Sequence, residues 1–254
     1  MAAQASSSVD IVLVRPARAA NVALACRALK SMGLGAPVLV DPPKDLGSED
    51  TRGLAYGAWD LLDGARRTVS LQEAVLGSVL VAGTSGRLKL GEVFTPRRFA
   101  EEGLRRAAGG RTSIVFGPER SGLSREELGL CHLTLQIPTH PAQPSLNLAQ
   151  AVLVVAYELR LVDGALAQAA PVSWEGEDAP ALAGELEDAI ADFRAASLSI
   201  GYLNPQSPDH VLAEWRRLLA RGAPTRREVN LLRGLARQMA FAAAAVAQSR
   251  RDAG

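Results

Sequence analysis

Leu135-Gln-Ile-Pro-Thr-His-Pro-Ala-Gln-Pro-Ser-Leu-Asn-Leu-Ala-Gln-Ala151 reads as a strand that stops, a loop with three prolines, and a helix that begins. The apolar run from Leu133 to Ile137 ends at Pro138, which has no N–H for a sheet ladder. Ser145 and Asn147 stand where an N-cap is expected, and each can either cap helix amides or orient a reacting group. The helix that follows runs from Asn147 to Leu161. Its apolar set Leu148, Val152, Val155, Ala156 and Leu159 is wider than one side of a surface helix requires, so a contact with a second copy of the chain is expected through this helix and the first helix.

Upstream, strand and helix signals alternate, which predicts an α/β fold with a mostly parallel sheet flanked by helices. Strands are expected at Ile11–Val14, Pro37–Val40, Ser78–Ala82 and Thr112–Phe116. The Ala/Leu-rich stretch Asn21–Met32 reads as a helix closed by Gly33, and a second helix is expected from about Pro96 to Ala108. Ser124-Arg-Glu-Glu127 has capping-box spacing, so a helix starts just past the Gly117-Pro-Glu-Arg120 loop. The dinucleotide fingerprint G-x-G-x-x-G is missing: Gly33-Leu-Gly35 lacks the third glycine and follows a helix.

Downstream the composition changes. Residues 163–180 form a polar, Ala/Gly/Pro-containing linker, and residues 181–254 read as a helical extension. Its helices are expected at Ala181–Leu198, Pro208–Arg221 and Thr225–Gln248, the last opened by a capping box, Thr225-Arg-Arg-Glu228. Between Ala213 and Arg251 there are nine arginines and two acids, Glu214 and Glu228. Such a run fits either a solvated helix face or a surface for a polyanion. Net charge over all 254 residues is +1, so any nucleic-acid affinity must come from local clustering of this kind.

With 48% apolar and only 4% aromatic residues, the core has to be built from Ala, Leu and Val. Cys26 and Cys131 lie in apolar segments far apart and read as reduced, buried thiols. Cys131-His132 with a distant His140 lacks the close spacing of a metal site. Residues 1–9 read as a disordered polar tail, and Phe241–Ala247 is too short to span a bilayer. A cytoplasmic protein with no membrane partner is expected.

Three separated segments, Asn21-x5-Arg27, Val115-Phe-Gly-Pro-Glu-Arg-Ser-Gly-Leu123 and Ser145-Leu-Asn147, resemble in order and spacing the motifs of the SpoU/TrmH branch of the SPOUT RNA methyltransferases. The resemblance implies a trefoil-knotted α/β domain over residues 10–162, with Ile137–Leu161 threaded through an earlier loop. It implies S-adenosyl-L-methionine as methyl donor, a ribose 2′-hydroxyl of RNA as acceptor, a homodimer and no metal. Cofactor contacts would be Thr84, Ser85, Gly86, Gly117, Ile137, Pro144, Ser145 and Leu146. Reacting or orienting groups would be Arg27, Asn21, Glu119, Ser145 and Asn147. One departure stands at Ala20, where the family often has glycine.

By spacing alone Arg27 is a solvated helix arginine; the resemblance makes it essential. With a pKa above about 12, arginine is a poor free base. It can lower the pKa of the hydroxyl electrostatically while a phosphate or carboxylate takes the proton, and the base role that the family assigns to it stays open beside that. Trp215–Leu235 resembles the C-terminal signature of TrmJ-type tRNA methyltransferases. This implies 2′-O-methylation of a cytidine or uridine at the start of the tRNA anticodon loop, with residues 181–254 as a tRNA-binding extension and Arg226 and Arg227 on the tRNA. Ribosomal RNA as substrate, or a catalytically silent RNA-binding homologue, are the alternatives.

Overall fold

The computed structural model describes residues 9–86, 91–107, 110–166 and 176–252, which divide into two compact units, Met1–Ser173 and Trp174–Gly254. The first contains β1 (Val9–Val14), α1 (Ala19–Met32), β2 (Val38–Val40), α2 (Glu49–Leu54) and α3 (Trp59–Asp63). Then come β3 (Arg66–Thr68), α4 (Leu71–Val75), β4 (Leu80–Thr84), β5 (Glu92–Phe94) and α5 (Pro96–Arg98). A π-helical turn, Phe99–Gly103, joins α5 to α6 (Leu104–Arg106), followed by β6 (Thr112–Phe116), α7 (Arg125–Gly129), β7 (Leu133–Leu135) and α8 (Leu148–Leu166).

All seven strands are parallel, in the order β3-β2-β1-β6-β4-β7-β5. The middle strands are covered on both faces, which is why Ile114-Val-Phe116 and Leu80-Val-Ala82 read as continuous apolar runs without alternation. α1 and α8 share one core: Val22, Cys26 and Leu29 lie in the same cluster as Leu148, Val152, Val155, Ala156 and Leu159. Those five α8 residues are therefore buried within one chain, and the expectation that they meet a second copy is corrected. The face of α8 left in solvent carries Leu153, Val154, Tyr157 and Leu161.

Other differences from the sequence reading are local. β1 begins at Val9, inside the expected tail, because Val9 pairs with Thr112 and is buried. The remaining tail residues lie outside the described residues, as do residues 167–175 of the expected linker. α8 continues to Leu166. β3 and β5 were not expected: they are three-residue edge strands rich in charge, with Arg66 and Arg67 exposed and Glu92 paired to Arg98 and Arg106. Both guanidiniums sit over the buried Phe94 ring, at 4.2 and 4.9 Å from its centroid, so a short charged strand still closes the sheet.

The second unit holds α9 (Ala183–Ser199), α10 (Pro208–Gly222) and α11 (Arg226–Asp252). Val229 and Leu232 of α11 pack with Ala181, Leu186 and Ala189, while Phe193, Leu203, Leu212 and Trp215 form a neighbouring cluster with Met239. An antiparallel bridge, Pro180–Thr225, ties the entry of α9 to the start of α11. Among the described residues, five arginines pair with acids inside the unit: Arg194 with Asp209, Arg216 with Glu187, Arg217 with Glu214, Arg226 with Glu185 and Arg233 with Asp192.

Candidate active site

In parallel sheets the chain leaves each strand at the same edge, and ligand sites form beyond the carboxyl ends of neighbouring strands. Here β6, β4 and β7 are adjacent, and the chain leaves them through Gly117, Ser85 and, two residues beyond Leu135, Ile137. The expected cofactor residues are thus brought to one edge of the sheet. Thr84 is spent partly on the scaffold, since its hydroxyl donates to the Val115 carbonyl at 2.9 Å. The Ser85 N–H bonds the Leu135 carbonyl at 3.0 Å and locks β4 against β7.

The proline loop is held from within. Thr139 donates its hydroxyl to the Pro144 carbonyl at 3.1 Å, and the Gln143 N–H bonds the His140 carbonyl at 2.9 Å. A Cβ on Gly86 would lie 3.7 Å from the Pro144 carbonyl oxygen, so the loops after β4 and β7 face each other across a glycine. Gly86, Pro144 and Ser145 are exposed, whereas Ile137 and Leu146 are half-buried.

Beside these loops, one run of hydrogen bonds joins all three motifs. The Ala17 N–H donates to Glu119 Oε2 at 2.8 Å, and Asn21 Nδ2 donates to Glu119 Oε1 at 2.5 Å. Asn147 Nδ2 then donates to Asn21 Oδ1 at 3.0 Å, and Asn147 Oδ1 accepts from the Ala149 N–H at 2.9 Å. Asn147 therefore caps α8 and reaches α1 at once, and Gln150 Oε1 returns to the Asn147 N–H at 3.2 Å as in a capping box. With Asn21 only 8% exposed, both amide side chains are oriented by partners on each end.

Arg27 is not part of this run. Six residues carry it about 9 Å along α1 and about 240° around from Asn21. It is exposed, and its guanidinium has no ion-pair partner among the described residues. Arg226 and Arg227 belong to the second unit: Arg226 is held by Glu185 at 3.1 Å, while Arg227 is exposed and unpaired among the described residues.

Some contributors carry no motif signal. The backbone of Ala17 is invisible to a residue-type search. Arg15 has a left-handed backbone (φ 43°) at the turn out of β1 and pairs with Glu127 at 2.6 Å, which also receives the Ser124 N–H at the start of α7. That ion pair raises the Arg15 pKa, chiefly through the hydrogen bond to Glu127.

Neither cysteine is a candidate nucleophile. Burial pushes the thiols of Cys26 and Cys131 up to about 12, and both are free. Desolvation pulls His132 down to about 4, and its Nδ1 accepts the Val81 N–H at 3.3 Å, so it is a neutral structural group. A histidine held neutral stabilises the fold above its unfolded pKa of 6.5, and that contribution fades as pH falls from 6.5 toward 4. At pH 5 this amounts to about 2 kcal/mol. His132→Asn, which keeps an acceptor near the Val81 N–H, should flatten the acid limb in melts compared between pH 7.5 and 5. An acid limb identical to wild type would show that His132 is not its source.

Residues 8–157 match the profile described as the SpoU rRNA Methylase family. The chain belongs to the SpoU methylase family. Residues 185–251 match the C-terminal domain of the tRNA methyltransferase TrmJ, so the family assignment extends over both units. The tRNA (cytidine/uridine/adenosine-2′-O-)-methyltransferase TrmJ of Pseudomonas aeruginosa is 36% identical, covering 96% of this chain and 98% of that protein. The tRNA (cytidine/uridine-2′-O-)-methyltransferase TrmJ of Klebsiella pneumoniae is 37% identical, covering 90% of this chain and 94% of that protein. Among solved structures, TrmJ from Z. mobilis ZM4 superposes with a TM-score of 0.75 at 31% identity, over 91% of this chain and 98% of that one. The SPOUT fold expected from the three motifs is the fold of this SpoU family member.

Proposed function

We propose that the chain is an S-adenosyl-L-methionine-dependent tRNA 2′-O-ribose methyltransferase acting on a cytidine or uridine at the start of the anticodon loop. The observation that carries this reading is the run Glu119–Asn21–Asn147 beside the loops of β6, β4 and β7, in a chain whose relatives are named for this activity. The loops fit the cofactor in kind: small and exposed residues such as Gly86, Pro144 and Ser145 offer backbone groups. Among the described residues no cluster of His, Cys, Asp or Glu could hold a metal, and no helix is long and apolar enough to cross a membrane. The reading includes a cytoplasmic location.

The cofactor, when bound, supplies an electrophilic methyl group. This chain's residues do the rest. Glu119, Asn21 and Asn147 fix the loops relative to α1 and α8, so that the acceptor hydroxyl meets a rigid edge. Arg27 supplies a permanent positive charge that favours the ionised hydroxyl. Incubating the protein with labelled cofactor and either total tRNA or total ribosomal RNA tests the reading. Label in tRNA, mapped to the start of the anticodon loop, is expected; label in ribosomal RNA alone would overturn it in favour of the ribosomal alternative, and no label would favour a silent homologue.

Two further parts of the reading concern topology and assembly. The strand order places β7 between β4 and β5, strands that are close in sequence, and this insertion of a later strand between two earlier ones supports threading of Ile137–Leu161. For the homodimer, the exposed apolar face Leu153, Val154, Tyr157 and Leu161 of α8 is the contact surface, and the dimer presents Arg27 to the partner's cofactor loops. Leu153→Asp with Tyr157→Asp should yield a monomer in sedimentation and cost most of the activity. A doubly substituted protein that still sediments as a dimer would remove this face from the assembly.

A further inference from the structure

We propose that Arg15 is a positioning residue for methyl transfer, which through its ion pair with Glu127 holds the loop that carries Glu119 against the turn into α1. The proposal rests on the methyltransferase reading above. β1 and β6 are hydrogen-bonded neighbours, so the turn after Val14 and the loop after Phe116 leave the sheet side by side. Two contacts tie them together. The Ala17 N–H meets Glu119 Oε2 at 2.8 Å near the start of the loop, and Arg15 Nη1 meets Glu127 Oε1 at 2.6 Å beyond its far end, in α7.

Both partners of the far tie are fixed. Arg15 has a left-handed backbone, φ 43°, which is unfavourable for a residue with a Cβ and is the usual province of glycine. Its N–H is held by the Val40 carbonyl at 2.8 Å. Backbone strain of this kind persists where the surroundings over-determine it, and it gathers at sites that need a set geometry. Glu127 Oε2 accepts the Ser124 N–H at 2.8 Å, and the Glu127 N–H bonds Ser124 Oγ at 3.1 Å. The Glu127 side chain is 13% exposed, so solvent screens this pair less than one between two surface side chains. Glu127 attracts the guanidinium most strongly and Asp41 adds to that pull. Two carboxylates around one guanidinium leave no excess positive charge for a phosphate, which sets Arg15 apart from a residue that docks RNA.

The consequence falls on Glu119. With the far tie released, the loop is joined to the turn through the Glu119 carboxylate, which must also align Asn21. A misplacement of about 1 Å in groups that orient a reaction costs up to about a hundredfold in rate. A loop that keeps one of its two ties should lose less, and the loss should fall on turnover, since Arg15 itself touches no ligand.

The test uses the full-length protein, a tRNA transcript, single-turnover transfer at saturating cofactor, and tRNA binding over a salt series. Arg15→Ala and Glu127→Gln should each slow transfer by about tenfold, with tRNA affinity and its salt slope as in wild type. Glutamine keeps the acceptor that the Ser124 N–H needs, so Glu127→Gln removes the ion pair and leaves the cap. The double variant should be no slower than either single one, and Arg15→Lys should recover part of the rate. Arg15→Gly relieves the left-handed backbone, so it should melt close to wild type and still be slow, which a merely structural role would not produce. A wild-type rate in Arg15→Gly, or defects that multiply in the double variant, would overturn the proposal. A salt slope lowered by about one in Arg15→Ala, with Glu127→Gln at the wild-type rate, would make Arg15 an RNA contact instead, and the proposal would fall. Both of those results leave the methyltransferase reading standing; wild-type protein that methylates no RNA would overturn that reading and the proposal together.

Discussion

Arg27→Ala is expected to cut the rate of methyl transfer by about a hundredfold or more at saturating tRNA, with affinity for S-adenosyl-L-methionine close to wild type. Three features lead there. Arg27 is exposed on α1 and unpaired among the described residues, so its removal costs the fold little. It leaves α1 on a different side from Asn21, so the Glu119–Asn21–Asn147 run stays intact without it. What is lost is a permanent charge next to an acceptor hydroxyl that must ionise. A single preorganised electrostatic partner of this sort is worth about 3 kcal/mol in a transition state. Arg27→Lys should also be slow, because the ammonium keeps the charge and loses the planar fork. Single-turnover rates with cofactor titrations separate the two effects. Full turnover in Arg27→Ala would leave Arg27 as a solvated or RNA-docking side chain.

The parts of this molecule that could be read from its sequence are those where local chemistry and fold agree. β6 was expected over Thr112–Phe116 and is found there, since a buried parallel strand is a plain apolar run. The capping box at Ser124 and Glu127 and the helix stop at Gly33 follow from side-chain and backbone geometry alone. The edge strands β3 and β5 carry arginines and a glutamate whose partners come from elsewhere in the chain, so nothing within three residues announces a strand. The apolar stripe of α8 shows the opposite failure. Its width was visible, but which part faces α1 and which faces solvent depends on tertiary packing, and Leu148, Val152, Val155, Ala156 and Leu159 proved to be the inward part.

The site divides the same way. Residue types and order pointed to Asn21, Glu119 and Asn147, but their direct bonding spans separations of 98 and 126 residues, which no local pattern encodes. Arg226 and Arg227 are neighbours with equal charge, yet Glu185 claims the first and leaves the second to solvent. Only the packing of α11 on α9 separates a structural arginine from an available one.

Replacing Gly117 is expected to damage both cofactor binding and stability, and alanine should already suffice. A Cβ at this position would lie 2.3 Å from the Leu123 nitrogen and 2.4 Å from the Gly122 carbonyl carbon. Those are backbone atoms of the chain itself, and they are fixed: the Gly122 N–H bonds the Pro118 carbonyl at 2.8 Å, Gly122 has a left-handed φ of 68°, and the Ser124 capping box follows at once. Any side chain at 117 must therefore push the loop that carries Glu119, drawing its carboxylate away from Asn21 and the Ala17 N–H. Such overpacking costs about 2 kcal/mol, and the loop displacement should weaken cofactor binding by more than about tenfold. The comparison of Gly117→Ala with Gly117→Leu identifies the cause. If the glycine only makes room for the cofactor, damage should grow with side-chain size and alanine should bind nearly as wild type. If it makes room for its own backbone, the defect begins at the first methyl group and melting falls along with affinity. A Gly117→Ala protein with wild-type melting and wild-type cofactor affinity would show that the chain can relax around this contact.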